Sequence, residues 1–182
     1  MTPARALFIA MAAVVLLTGT RPIAGGGQFP RGLLAGADPK VGQNRSCTIE
    51  TRALSFGIYD TLANADLDAI GQIIYTCDNG NGLSGKKPEQ KGIRIELAQG
   101  SSNSFAPRHM YGIGFEELEY NIYLDSTHRQ VWGTGEGPTQ VYIDEHPPNR
   151  TTVIVPAFGR IFGRQDVPAG PYADNVAVRI LF

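Results

Sequence analysis

Short runs in which apolar and polar residues alternate with a period of two, each bounded by glycine or proline, constrain this chain more than any other feature. Gly92–Gln99 (GIRIELAQ) sets Ile93, Ile95 and Leu97 against Arg94 and Glu96. Leu118–Asp125 does the same through Tyr120, Ile122 and Leu124, and Pro171–Phe182 (PYADNVAVRILF) through Val176, Val178, Ile180 and Phe182. Such alternation is the signature of strands with one face in a core. With 22 glycines and 12 prolines in 182 residues, and charged residues at only 18%, turns are frequent and long helices disfavoured. Further strand candidates are Cys47–Thr51, Leu54–Tyr59, Ala69–Cys77, Gln130–Gly133, Thr139–Ile143 and Thr151–Ile161. Pro156 places the middle of the last at an edge or a bulge. The expected class is all-β, a sandwich of short strands in one domain.

The last run raises a question of partners. A terminal core strand needs a neighbour, and no residues follow Phe182 to supply one, so the expectation is an unpaired edge.

Ala6–Leu17 (ALFIAMAAVVLL) is an uninterrupted run of twelve apolar residues after Arg5. A membrane-spanning helix needs about 20 residues, so the run fits a secretory signal peptide better. Residues 1–24 are therefore expected to be removed on export, although Thr18–Thr20 and Pro22–Ala24 both offer small residues for cleavage. Loss of Arg5 and Arg21 leaves 14 basic against 17 acidic residues, a formal charge of −3. That balance excludes a nucleic-acid binder, which needs basic surface.

In an exported chain the pair Cys47 and Cys77 reads as a disulfide. Two thiols alone make a poor zinc site, and the histidines stand apart at 109, 128 and 146. Residues 25–46 form a glycine-rich N-terminal extension with Pro30 and Pro39, and Asp78–Gly92 a long loop with three lysines that reads as a solvated tip.

Motifs for chemistry are thin. HExxH, GxSxG and P-loop patterns are absent, and Gly133–Gly137 lacks the setting of a dinucleotide loop. His109 and His128 are lone histidines in polar surroundings and read as surface residues. Asp60, Asp66 and Asp68 near Asn64 lack the ligand order and turn glycine of a calcium loop. Trp132 reads as a core anchor rather than an exposed sugar platform. Asn44 and Asn149 each open a glycosylation sequon. No catalytic, cofactor or metal site is expected.

Eight segments in order resemble the spore coat protein U domain family, shared with subunits of archaic chaperone-usher pili. They are Ser46-Cys-Thr-Ile, Leu54–Asp60, Gly71–Cys77, Ser104-Phe-Ala-Pro-Arg108, Leu118–Asp125, Val131-Trp-Gly-Thr-Gly135, Phe158-Gly-Arg-Ile161 and Val167–Asp174. The resemblance covers about residues 47–182. It implies an immunoglobulin-like sandwich lacking its last strand, which a periplasmic chaperone and then a sibling subunit would supply by β-strand addition. It further implies an outer-membrane usher as partner, a periplasmic then surface location in a fimbrium, and a non-enzymatic role in adhesion or biofilm formation. Val176, Val178, Ile180 and Phe182 would then line the assembly groove.

The extension 25–46 is a candidate donor strand. Its alternation around Phe29, Leu33 and Leu34 is weak, and its prolines cannot donate to a ladder. The acceptor role is thus better supported than the donor role. The alternative is a self-contained secreted binding or coat protein in which Gly25–Arg45 folds back to complete the sheet in cis.

Overall fold

The computed structural model describes residues 9–18, 46–78 and 92–181. Ten strands and one 3-10 turn follow in order: β1 (Ile9–Thr18), β2 (Ser46–Arg52), β3 (Leu54–Asp60), β4 (Leu67–Asp78), β5 (Ile93–Leu97), the turn Gly100–Ser102, β6 (Arg108–Tyr111), β7 (Glu117–Tyr123), β8 (Tyr142–Asp144), β9 (Thr152–Ile161) and β10 (Pro171–Leu181). The Gly25–Arg45 leader, residues 79–91 of the lysine loop, and Phe182 lie outside the described residues.

Hydrogen bonding runs β2-β4-β9-β7-β6-β10-β1-β3, with β5 added to β10 and β8 to β5. Strand β10 changes partner along its length. It meets β6 at Ala173↔Tyr111 and β5 from Val178 to Leu181. The sheet folds over there, so that β3 lies across the core from β9 and β7: Phe56 packs edge-on against Tyr120, with ring centroids 6.3 Å apart. The result is an all-β, immunoglobulin-like sandwich, with inward positions from both layers filling one core.

Period-two burial follows the sequence pattern closely. In β10, Tyr172, Asp174, Val176 and Val178 are buried and the residues between them exposed. In β9 the register with β4 runs unbroken from Thr152↔Thr76 to Ile161↔Leu67 through Pro156, so the proline causes no bulge. It sits at a local edge, because β7 pairs with β9 only from Phe158 to Ile161. A residue without an N–H costs no ladder bond on that side.

The candidates Gln130–Gly133 and Thr139–Ile143 shrink to the bridges Tyr123↔Val131 and Trp132↔Gln140 plus β8. Gly135 and Gly137 between them take positive φ (80° and 59°), turning the chain too sharply for a regular hairpin ladder.

The sandwich depends on one close approach. A Cβ at Gly159 would lie 2.7 Å from both Leu54 Cδ2 and Phe56 Cζ, the β3 side chains that reach across to β9. Gly159→Ala is therefore expected to cost about 1–3 kcal/mol by overpacking. Chemical denaturation of the full chain measures it, and an unchanged midpoint would mean that β3 does not pack there.

Candidate functional site: a groove between β10 and β3

Strand β3 stands at the end of the sheet, and its one strand neighbour among the described residues is β1. β10 likewise meets β1 along one edge, from Pro171 to Val178. Without β1, two strand edges would face each other across a gap open to the core. The segment that fills this gap is the apolar run near the N-terminus. Ile9–Thr18 is extended rather than helical. It runs parallel to β10 from Met11↔Pro171 to Thr18↔Val178, and antiparallel to β3 from Ile9↔Asp60 to Val14↔Leu54. The β3 register shifts between Ala12 and Ala13, where Gly57 takes φ +75°, a bulge conformation natural to glycine.

Of the groove residues expected from sequence, Val176 and Val178 are buried and stand in register with Leu16 and Thr18. Ile180 is half-buried and pairs with Ile95 of β5 on the opposite edge, beyond the last β1 residue. The sequence reading missed Tyr172 and Asp174, which continue the same period-two phase toward the N-terminus, and Leu54 and Tyr59 on the β3 wall. Asp174 hid the continuation, because a carboxylate breaks an apolar pattern.

That buried carboxylate is fully engaged. Asp174 Oδ2 accepts from the Tyr120 hydroxyl at 2.6 Å, and Oδ1 accepts from the backbone N–H groups of Ser101 at 2.8 Å and Asn175 at 2.7 Å. Gly100 makes this contact possible: with φ +73° it presents the Ser101 N–H, and a Cβ there would sit 2.1 Å from Asp174 Oδ2. Burial together with the neighbouring carboxylate pushes the Tyr120 hydroxyl pKa well up, so it stays a donor.

Behind the groove wall lies Arg108, fully buried and unassigned by the sequence reading. Its guanidinium donates to Ala98 O (3.1 and 2.9 Å), Asn121 Oδ1 (2.6 Å) and Trp132 O (2.7 Å), and stacks 4.9 Å from the Phe105 ring centre. Burial lowers its pKa to about 10, and it remains a cation at neutral pH. Trp132 is itself fully buried, with Nε1 donating to Ile95 O at 2.9 Å.

The remaining candidates are dispersed. Cys47 and Cys77 form a disulfide across the β2–β4 pair. His109, on β6, stands 3.8 and 3.9 Å from Glu117 and Glu119. His128 is not a surface residue: its side chain is 8% exposed, 3.7 Å from Asp68 and edge-on to Tyr123, because the turn after β7 folds it back onto the sheet. Asp68 takes a bidentate pair from Arg160 at 2.7 and 2.8 Å, which lowers its pKa, and Asp66 lies 3.3 Å from the same arginine. Asp60 instead accepts from the Leu62 N–H at 2.9 Å. Asn149 is exposed and bridges to Cys77, whereas Asn44 lies outside the described residues. Among the described residues no three His, Cys, Asp or Glu side chains gather as metal ligands, and no helix is long and apolar enough to cross a membrane.

Comparison with known proteins agrees with this geometry. A chain in the crystal structure of the CsuC–CsuE chaperone-tip adhesion subunit pre-assembly complex, from archaic chaperone-usher Csu pili of Acinetobacter baumannii, has a similar fold. The TM-score is 0.50 at 20% identity, over 76% of this chain and 40% of that one. This chain thus spans less than half the length of that neighbour. No curated protein matches. The family model of the Spore Coat Protein U domain matches residues 39–179, and the chain belongs to that family.

Proposed function

We propose that this protein is an exported structural subunit of a chaperone-usher surface fibre, whose sandwich is completed by a strand from another chain. One observation carries the reading: the gap between β10 and β3 is filled by Ile9–Thr18, the same apolar run that reads as a signal peptide. Removal of residues 1–24 on export strips that strand and leaves two edges and an apolar groove. An unpaired edge beside exposed apolar surface aggregates unless covered. Val176 and Val178, with Tyr172 and Leu54, are the groove walls. A periplasmic chaperone covers the groove first and a sibling subunit's extension replaces it at an outer-membrane usher. The fold likeness to a chain of a chaperone–subunit complex supports this reading, and adhesion or biofilm formation is the role it implies at the cell surface.

The test is to isolate the protein from its native periplasm, sequence its N-terminus, and ask what accompanies it. A start near residue 25 is expected, with bound chaperone or denaturant-resistant multimers. A lone monomer that melts cooperatively and ignores added strand peptides and chaperones sinks the proposal.

A second reading has one observation in its favour, namely that β1 completes the sandwich in cis. In it the protein is a self-contained secreted module that retains its apolar run. A mature N-terminus beyond residue 18 ends that reading.

A further inference from the structure

The outward face of β4 and β9 is apolar where an exposed sheet surface is ordinarily polar. In register, Ile70 stands beside Phe158, Gln72 beside Pro156 and Ile74 beside Ile154. Ile70 is 64% exposed and Ile154 56%, while the inward residues between them, Ile73 and Val155, are buried. A contiguous apolar strip of this kind marks an interaction surface, whereas single exposed side chains do not. Both ends of the strip are polar: Arg160 donates to Asp68 at 2.7 Å beyond one, and the hydroxyls of Thr76 and Thr152 meet at 2.9 Å beyond the other.

The two long sides of the strip complement each other. On one, β2 sets Glu50 beside Ile74 and Arg52 beside Gln72, both exposed. On the other, β9 has an open edge, because β7 pairs with it only from Phe158 to Ile161. Residues of an antiparallel strand turn their backbone groups alternately to one neighbour and the other. Ile122, opposite Gly159, gives its carbonyl to the Trp132 N–H, away from β9. Gly159 therefore bonds to β4, and Ile154 and Pro156 point their backbone groups away from it. Ile154 thus presents an N–H and a carbonyl on the open edge and Pro156 a carbonyl alone, with no strand opposite them among the described residues.

We infer that this face binds a second copy of the chain, sheet against sheet, about a two-fold axis running along the strands between β4 and β9. Such an axis exchanges the two strands row by row. Ile70 then lies over the copy's Phe158 and Ile74 over the copy's Ile154, apolar on apolar, in the aligned packing of two sheets about 10 Å apart. β2 lies over the copy's open edge. Glu50, an acceptor, falls at the row that offers an N–H, and Arg52, a donor, at the row that offers only a carbonyl. β2 ends at Arg52, which leaves the next corner open for the copy's turn after β7, where His128 folds over Tyr123 beside Phe158. The contact is smaller than the roughly 800 Å² per partner of a stable complex, so the pair is weak and reversible. It lies on the layer opposite the groove between β10 and β3 and neither needs nor blocks a donor strand.

The test is sedimentation velocity of the full-length, disulfide-oxidised chain over a range of roughly 10 µM to 1 mM. A dimer that dissociates on dilution is expected, with a Kd of roughly 100 µM, unlike the denaturant-resistant multimers of strand exchange. Ile154→Glu sets a charge against the copy's Ile74, and Glu50→Lys removes the acceptor at the open edge. Each is expected to weaken the dimer about tenfold or more at an unchanged melting temperature, since both side chains lie outside the core. Ile70→Lys, at the other end of the strip, repeats the measurement on β4 should the β9 variant melt early. A monomer throughout the range overturns the inference and leaves the assembly reading untouched. A dimer that survives Ile154→Glu and Ile70→Lys, the mark of strand addition at the β2 edge, also overturns it. Loss in those variants with no change in Glu50→Lys overturns the two-fold arrangement.

Discussion

Arg108→Ala is expected to lower the stability of the full chain by about 3–5 kcal/mol, as does breaking a buried charged cluster elsewhere. The side chain is fully buried, and its hydrogen bonds tie three segments together: Ala98 after β5, Asn121 on β7 and Trp132 beyond it. Alanine leaves the carbonyls of Ala98 and Trp132 short of a donor inside the protein, at about 1–3 kcal/mol for each group left unsatisfied. It also removes the cation over Phe105 and a positive charge that interacts with the buried Asp174. Arg108→Lys retains the charge but replaces a planar fork by a point donor, so it should recover only part of the loss. Urea unfolding of the three chains measures this directly. A change below about 1 kcal/mol for the alanine variant would mean that water takes over the network, in conflict with its burial.

Replacing both Cys47 and Cys77 with serine is expected to cost about 3–4 kcal/mol. The two residues are 30 apart in sequence, and a bridge closing a loop of that length removes roughly that much free energy from the unfolded chain on the entropy model. Its place in the fold matters as much as its length. Among the described residues β2 is the outermost strand of its layer and pairs only with β4, and its residues alternate between half-buried and exposed. Cys77 is fully buried, so serine there also places a hydroxyl among core side chains. Guanidinium titration reads the loss, and treating the unsubstituted chain with a thiol reductant should reproduce most of it. A small loss accompanied by a lower m-value would mean that β2 frays by itself while the other strands hold.

Most strands were legible because burial on one side of a sheet writes itself into sequence with a period of two. Ile93–Leu97, Leu118–Ile122 and Val176–Val178 lie where that alternation puts them, and Trp132 is the core anchor it was read to be. Strand β6 was not legible. Its first residue is the buried arginine, and a charged side chain is read as exposed until its partners, distant in sequence, are known. His128 was misplaced for a similar reason: its shelter comes from Asp68 on β4 and Tyr123 on β7, which only the folded sheet brings to the turn.

The groove divides the same way. From sequence alone come the all-β class, most of the strands and the cysteine pair, since each depends on local periodicity or composition; the unpaired edge expected at Pro171–Phe182 is instead covered, by β1 on one side and by β6 and β5 on the other. The tertiary structure decided the rest. It set β3 as the second wall and buried Asp174 under Tyr120. An uninterrupted apolar run such as Ala6–Leu17 has no period of its own, so nothing local chooses between helix and strand. Its part from Ile9 onward is strand β1 because two separated edges, on β10 and β3, each present a row of hydrogen-bonding groups, and one extended segment satisfies both.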